Sequence, residues 1–145
     1  MEKTMLSLTW PTLGLCVRAA MLEEENPEVC RKMREKLPFE SMMGHAVVSG
    51  ETMWFPTRVI HSGPNYMVPR QIGDLYFFTS GQSVCITYGV ITESAKVNKF
   101  AAVLPEDIPT LQQAGRLVYE KTINSAQKEA VPVRIALAQQ EEGQR

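Results

Sequence analysis

Residues 73–89, GDLYFFTSGQSVCITYG, constrain this chain more than any other stretch. Two runs rich in aromatic and β-branched residues flank Ser80-Gly81, so the segment reads as strand, turn and strand, the second ending at Tyr88-Gly89. Gly73-Asp74 turns the chain into the hairpin, and Phe77, Val84 and Ile86 are its core candidates. Such a unit narrows the fold class far more than it narrows a reaction.

The flanking sequence supplies more strands than helices. Apolar residues alternate over 4–10 and 13–20, two strands joined at Pro11-Thr12, where proline sets a turn and withholds a ladder donor. A helix follows with readable punctuation: Asn26 as N-cap, Pro27 at the first helical position, glutamates before it, basic residues through Lys36 and Pro38 as the stop. Val29, Met33 and Leu37 form its expected buried stripe. Residues 39–49 and 52–56 read as strands around Gly50-Glu51, and 61–70 as an irregular loop long enough to cover a pocket. After the hairpin come a strand over 98–104, a helix opened by Pro105-Glu106-Asp107 with Ile108, Leu111, Ala114 and Val118 at helical spacing, and a last strand over 131–137. About seven strands with two helices do not alternate as a doubly wound sheet requires. A mostly antiparallel barrel or sandwich with helices plugging its ends is the expected packing.

The totals bound the partners. At 145 residues, 44% of them hydrophobic, the chain is sized for one domain, placed at residues 1–138, with 139–145 expected to fray. A formal charge of -1 without a Lys/Arg run argues against nucleic acid or an acidic membrane surface. No apolar run approaches the roughly 20 residues that span a bilayer, and the N-terminus lacks a signal-peptide pattern, so a cytoplasmic location is expected. Cys16, Cys30 and Cys85 are too widely spaced for a disulfide framework or, with His45 and His61 distant, for a metal motif. Neither metal nor organic cofactor is expected.

Five segments in order carry a resemblance: PFES (38–41), HAVVSGETMWFP (45–56), IGDLYFF (72–78), VCITYG (84–89) and NKFAAV (98–103). Together they resemble a group of bacterial cyclophilin-like proteins, mostly without assigned function, related to the cyclophilin-like domain of cucumopine synthase. The resemblance covers roughly residues 37–121. It implies a closed antiparallel barrel, mainly β with two α-helices, and a pocket at one side walled by the Trp54-Phe55 strand and the strand ending at Tyr88. Cucumopine synthase looks like a Pictet-Spengler enzyme that joins an imidazole-bearing amino acid to a 2-oxo acid, though it carries an additional helical portion.

Candidate site residues follow from residue type and spacing. His45 and Glu51 lie six apart, so an unbroken strand would put both on one face as an acid/base pair, unless Gly50 kinks it. A structural or surface role is the competing reading for each. Arg58 and Arg70 bracket the irregular loop; a guanidinium fits a substrate carboxylate bidentately, yet surface arginines are common. Tyr88 could line a pocket or find a backbone partner, and Asn98 could orient a ligand or shape a turn. Of Trp54 and Phe55, neighbours on a strand, at most one faces a pocket. His61-Ser62 suggests no hydrolase triad, because no nucleophile-elbow motif is present and Cys85 sits in an apolar strand.

Three functions remain in competition. The first is a lyase or condensing enzyme acting on amino-acid or 2-oxo-acid carboxylates, with His45 and Glu51 moving protons. The second is a non-catalytic module binding a small carboxylate or amino-acid-like ligand. The third, peptidyl-prolyl isomerisation, is disfavoured: FPTRVI (55–60) only faintly resembles the Phe-His-Arg strand of true cyclophilins, and their long central segment is missing. Exposed strands and eight methionines are compatible with homo-oligomer formation.

Overall fold

The computed structural model describes residues 3–139. In chain order the elements are β1 (Met5–Trp10), β2 (Leu15–Met21), α1 (Pro27–Lys36), β3 (Phe39–Met42), β4 (Gly44–His45) and β5 (Gly50–Pro56). Then follow β6 (Met67–Pro69), β7 (Asp74–Phe78), β8 (Ser83–Ile91), β9 (Lys96–Val103), α2 (Ile108–Thr122) and β10 (Pro132–Leu137). The strands form one antiparallel sheet in the order β3-β10-β1-β2-β9-β7-β8-β5-β4, with β6 added beside β9.

The two ends of that order, β3 and β4, are consecutive in sequence and separated only by Met43. Met43 N–H donates to the Val131 carbonyl at 2.8 Å, and Ser41 Oγ donates to the Pro56 carbonyl at 2.7 Å. The sheet is therefore nearly closed into a barrel, mainly β with two helices, the fold class expected from the sequence.

Register decides which residues face inward. Directly opposed residues on antiparallel strands share a face, and successive residues alternate. Phe55, Val84 and Phe77 are opposed in one row and Met53, Ile86 and Leu75 in the next; all six are buried in the barrel core. The intervening row, Trp54, Cys85 and Tyr76, faces the other way. Beside it β9 has two neighbours on one edge: residues 101–103 pair with β2, and residues 96–98 pair with β6. β6 thus extends the sheet where β2 has ended, although the sequence reads its segment as irregular.

Helix α1 forms where expected. Asn26 Oδ1 accepts from Val29 N–H at 3.4 Å, and Leu37 leaves the helix in extended conformation before Pro38, as a residue preceding proline must. Cys30 joins Val29 and Met33 in the buried stripe, its thiol donating to the Phe100 carbonyl at 3.3 Å, whereas Leu37 is only partly buried. A 3-10 turn at Pro105–Asp107 leads into α2, which lays Leu111, Ala114, Gly115 and Val118 across β2, β4, β5 and β8. The strand expected over 39–49 breaks at Met43 and ends at His45; residues 46–49 are a turn with Val47 and Val48 pointing to solvent. Except for Gln139, the tail expected to fray lies outside the described residues.

Candidate functional site

The outward row Trp54, Cys85 and Tyr76 floors a groove of about 810 Å³. Ala46 and Ser49 from the turn before β5 border one side, and Gly63 and Pro64 from the segment leading into β6, with Met67 of β6 itself, border the other. An apolar floor with few polar groups is the usual character of a small-molecule site.

The polar centre of the groove is Arg70, which follows β6 and is only 8% exposed. Its Nη1 donates to the Tyr76 hydroxyl at 3.1 Å, and its Nη2 donates to the Glu93 carbonyl at 2.9 Å and to Glu93 Oε2 at 3.2 Å. The guanidinium carbon sits 5.9 Å from the Tyr76 ring centroid, and Nε is buried with no partner. A buried cation with spare donor capacity favours an anion beside it. Glu93, half-exposed, supplies one now. Burial pushes the Tyr76 phenol up to about 12 and the Cys85 thiol up to about 11, so both remain protonated near neutral pH and Cys85 is no thiolate nucleophile.

Trp54, Arg70 and Asn98 are the sequence candidates that reach the groove. The Asn98 side chain is already committed: Oδ1 accepts from Asn26 Nδ2 at 2.9 Å and from Tyr66 N–H at 3.1 Å, while Nδ2 donates to Asn65 Oδ1 at 3.2 Å. Phe55 is wholly in the core, and Arg58 is exposed just past β5, away from the groove.

His45 and Tyr88 gather on the opposite side of the sheet, beneath α2. His45 is opposed to the core residue Met53, and Tyr88 shares the inward parity of Val84 and Ile86. The tautomer of His45 is dictated by its neighbours. A carbonyl oxygen can only accept, so Nδ1 donates to the Ala46 carbonyl at 2.6 Å, and Nε2 accepts from the Tyr88 hydroxyl at 2.7 Å. Burial holds the His45 pKa below the usual imidazole value, opposed by the Ala46 bond and the Glu51 charge. Burial, reinforced by Glu51, raises Tyr88 to about 12. The Tyr119 ring closes the cluster 5.0 Å from the imidazole.

The even spacing of His45 and Glu51 does not operate through one strand, because residues 46–49 interrupt it and the β5–β8 register shifts between Gly50 and Thr52. That bulge leaves Val90 N–H without a ladder partner, and Glu51 Oε1 accepts from it at 2.8 Å. The carboxylate packs over Gly89, where any Cβ would collide with it. Sequence reasoning missed Tyr76 and Glu93 as groove residues. The outward parity of Tyr76 between Leu75 and Phe77 was a usable signal; Glu93 lies in a short loop with none.

Among the described residues no group of three or more His, Cys, Asp or Glu side chains could hold a metal ion, and no helix is long and apolar enough to cross a membrane. No protein-family profile and no curated protein matches the chain in sequence. Among solved structures the fold is similar to that of McbB in complex with tryptophan, with a TM-score of 0.83 and 26% identity over 92% of this chain. The match covers 44% of McbB, so this chain spans under half of its length. A second likeness, of fold alone, is to the solution structure of the hypothetical protein AF2241 from Archaeoglobus fulgidus. There the TM-score is 0.65 at 16% identity, over 94% of this chain and 95% of that one.

Proposed function

We propose that this protein is a small-molecule enzyme that seats an amino-acid or 2-oxo-acid carboxylate in the groove and joins it to a second substrate by a Pictet-Spengler-type condensation. In this reading it belongs with the cyclophilin-like proteins related to cucumopine synthase. One observation carries the reading: Arg70, buried in the groove and tethered to Tyr76, with its counter-charge on a solvent-reaching Glu93 that a ligand carboxylate can replace. The likeness to McbB, solved with tryptophan, supports an amino acid as one substrate.

The condensation consists of proton movements around a new bond. The ammonium loses a proton, the amine adds to the 2-oxo carbon, water leaves to give an imine, and a ring carbon attacks the imine and then sheds its proton. Glu93, displaced from Arg70, is the groove carboxylate in position to take the ammonium proton. Trp54 and Met67 offer apolar surface to the ring. His45 faces α2 and Glu51 is held against Val90 and Gly89 outside the groove, so a part for them in proton transfer requires substrate to reach beyond it.

Titration with L-tryptophan and with tryptamine, which lacks the carboxylate, tests the reading by thermal shift and calorimetry. Replacing the charge-assisted contact through Arg70→Gln should weaken tryptophan binding by about ten- to hundredfold and leave tryptamine unaffected. Equal affinity of wild type and variant for tryptophan refutes the anchor. Recovery of unchanged tryptophan after long incubation with a panel of 2-oxo acids replaces the enzyme with a binding module. A Glu51→Gln variant with normal turnover removes the His45 and Glu51 pair from the mechanism.

A further inference from the structure

The segment 61–67, which borders the groove, is attached to α1 and β9 through one buried imidazole. The His61 side chain is fully buried, edge-on to Phe77 with ring centroids 5.8 Å apart. Its protonation pattern can be read from its partners. Asn65 Nδ2 donates to Glu28 Oε2 at 3.1 Å, because a carboxylate can only accept. Asn65 Oδ1 is therefore the atom that faces His61 Nε2 at 2.6 Å and Asn98 Nδ2 at 3.2 Å. An amide oxygen also only accepts, so Nε2 carries the hydrogen. Nδ1 is left with the lone pair and accepts from the Lys32 ammonium at 3.1 Å, while Lys32 also donates to the Ile60 carbonyl at 3.0 Å.

We propose that His61 is a proton-sensitive latch on this wall of the groove: neutral, it ties residues 60–66 to α1 and β9; protonated, it expels Lys32 and loosens the wall. A second proton on the ring goes to Nδ1, where it points at the ammonium, turning an accepted hydrogen bond into a contact between two positive donors. Among the described residues the charged groups in contact with the ring are two from α1: Lys32, and Glu28, whose Oε1 lies 3.7 Å from Nδ1 and 3.6 Å from Lys32 Nζ. Phe77 of β7 presents only its ring, and Gln82 grips the His61 backbone, accepting from its N–H at 3.0 Å and donating to its carbonyl at 3.2 Å. Once Lys32 swings away, Glu28 Oε1 is the acceptor left facing the new Nδ1–H, while Oε2 keeps its bond from Asn65. The acid state therefore loses the Lys32–Ile60 bond, and with it an anchor that holds Gly63, Pro64 and Met67 beside the groove.

Amide hydrogen exchange, read for residues 60–67 at pH 5.5 and pH 8 and corrected for intrinsic rates, tests the latch without any ligand. Wild type should exchange roughly tenfold faster at pH 5.5 in this segment, with β8 and β10 unchanged, as for a local opening. Lys32→Met, on a helix side chain that is 26% exposed, removes the repulsion and should abolish the acid effect while leaving the fold intact. His61→Gln should exchange equally at both pH values. A wild-type segment protected equally at both pH values, or a Lys32→Met protein that opens in acid as wild type does, overturns the proposal. Should His61→Gln fail to fold, the Lys32→Met comparison decides alone.

Discussion

Replacing Gly115 by alanine should destabilise this protein, against the usual rule. In an ordinary helix interior glycine is about 1 kcal/mol worse than alanine, so the substitution normally gains that amount. Gly115 is not ordinary, because α2 crosses β8 directly over the Tyr88 ring. A Cβ there would stand 2.5 Å from Cε1 and from Cγ of Tyr88, and closer still to Cδ1. Carbon atoms pack at about 3.5–4.0 Å, so the ring or the helix must retreat by about 1 Å. The ring cannot do so freely: it is 2% exposed, and its hydroxyl is bound to His45, which is fixed in turn to the Ala46 carbonyl. Overpacking of this kind costs about 1–3 kcal/mol, and a strained or broken buried phenol–imidazole bond adds about 1–3 more. Subtracting the propensity gain of about 1 kcal/mol leaves a net loss of about 1–5 kcal/mol. For a chain of 145 residues each kcal/mol corresponds to about 3 °C, so the Tm should fall by about 3–15 °C. Calorimetry and urea melts of wild type and Gly115→Ala measure the effect, and adding Tyr88→Leu should recover part of the loss by vacating the contested space. A Gly115→Ala protein that melts at or above the wild-type temperature would refute the packing argument.

Two further outcomes follow from groups buried elsewhere. His45 is held below its unfolded pKa by burial, so the unfolded chain binds the proton first as pH falls through about 6.5, and this contribution to stability, full above that point, is lost on further acidification. Urea melts from pH 8 to pH 5 should show that slope, and it should flatten in His45→Asn. The three thiols should differ sharply in reactivity: Cys16 is exposed, whereas burial raises Cys85 to about 11 and Cys30 to about 12. A chromogenic thiol reagent at pH 8 should therefore titrate one thiol in the native protein and three in denaturant, and fast native reaction at Cys85 would contradict its burial.

Elements with local signals were legible in the sequence, and contacts across the sheet were not. Asn26-Pro27 announces α1 because a cap and a pre-set φ act within a few residues, and the hairpin around Ser80-Gly81 announces β7 and β8 by residue type. The strand break after His45 has no such punctuation: Val47 and Val48 are strong strand formers left in a turn that is tied to the sheet only at its ends, by Ala46 N–H to the Thr52 carbonyl and Thr92 N–H to the Ser49 carbonyl. The link between His45 and Glu51 is not one of shared strand face but of charge alone: Glu51 acts electrostatically on both His45 and Tyr88 from a separate element. Arg70 was legible as a candidate from its position beside the irregular segment. Its partner Tyr76 left only a parity signal on β7, and its partner Glu93, in the loop between β8 and β9, left none.

The seam at Met43 bears on how this protein behaves in a crowded solution. An open sheet ends in two rows of unpaired amides and carbonyls that invite strands from other molecules. Here the two terminal strands are the halves of a single seven-residue run, Phe39–His45, so a covalent link occupies the place where a free border would be. An invading strand would have to pry β3 from β10 and β4 from β5 in the same event. Beside β9, β6 is only three residues long and ends in Pro69, which cannot donate to a new neighbour. The chain thus hides its own adhesive backbone, and resistance to strand-mediated aggregation is built into the connectivity of the barrel rather than into its surface charge.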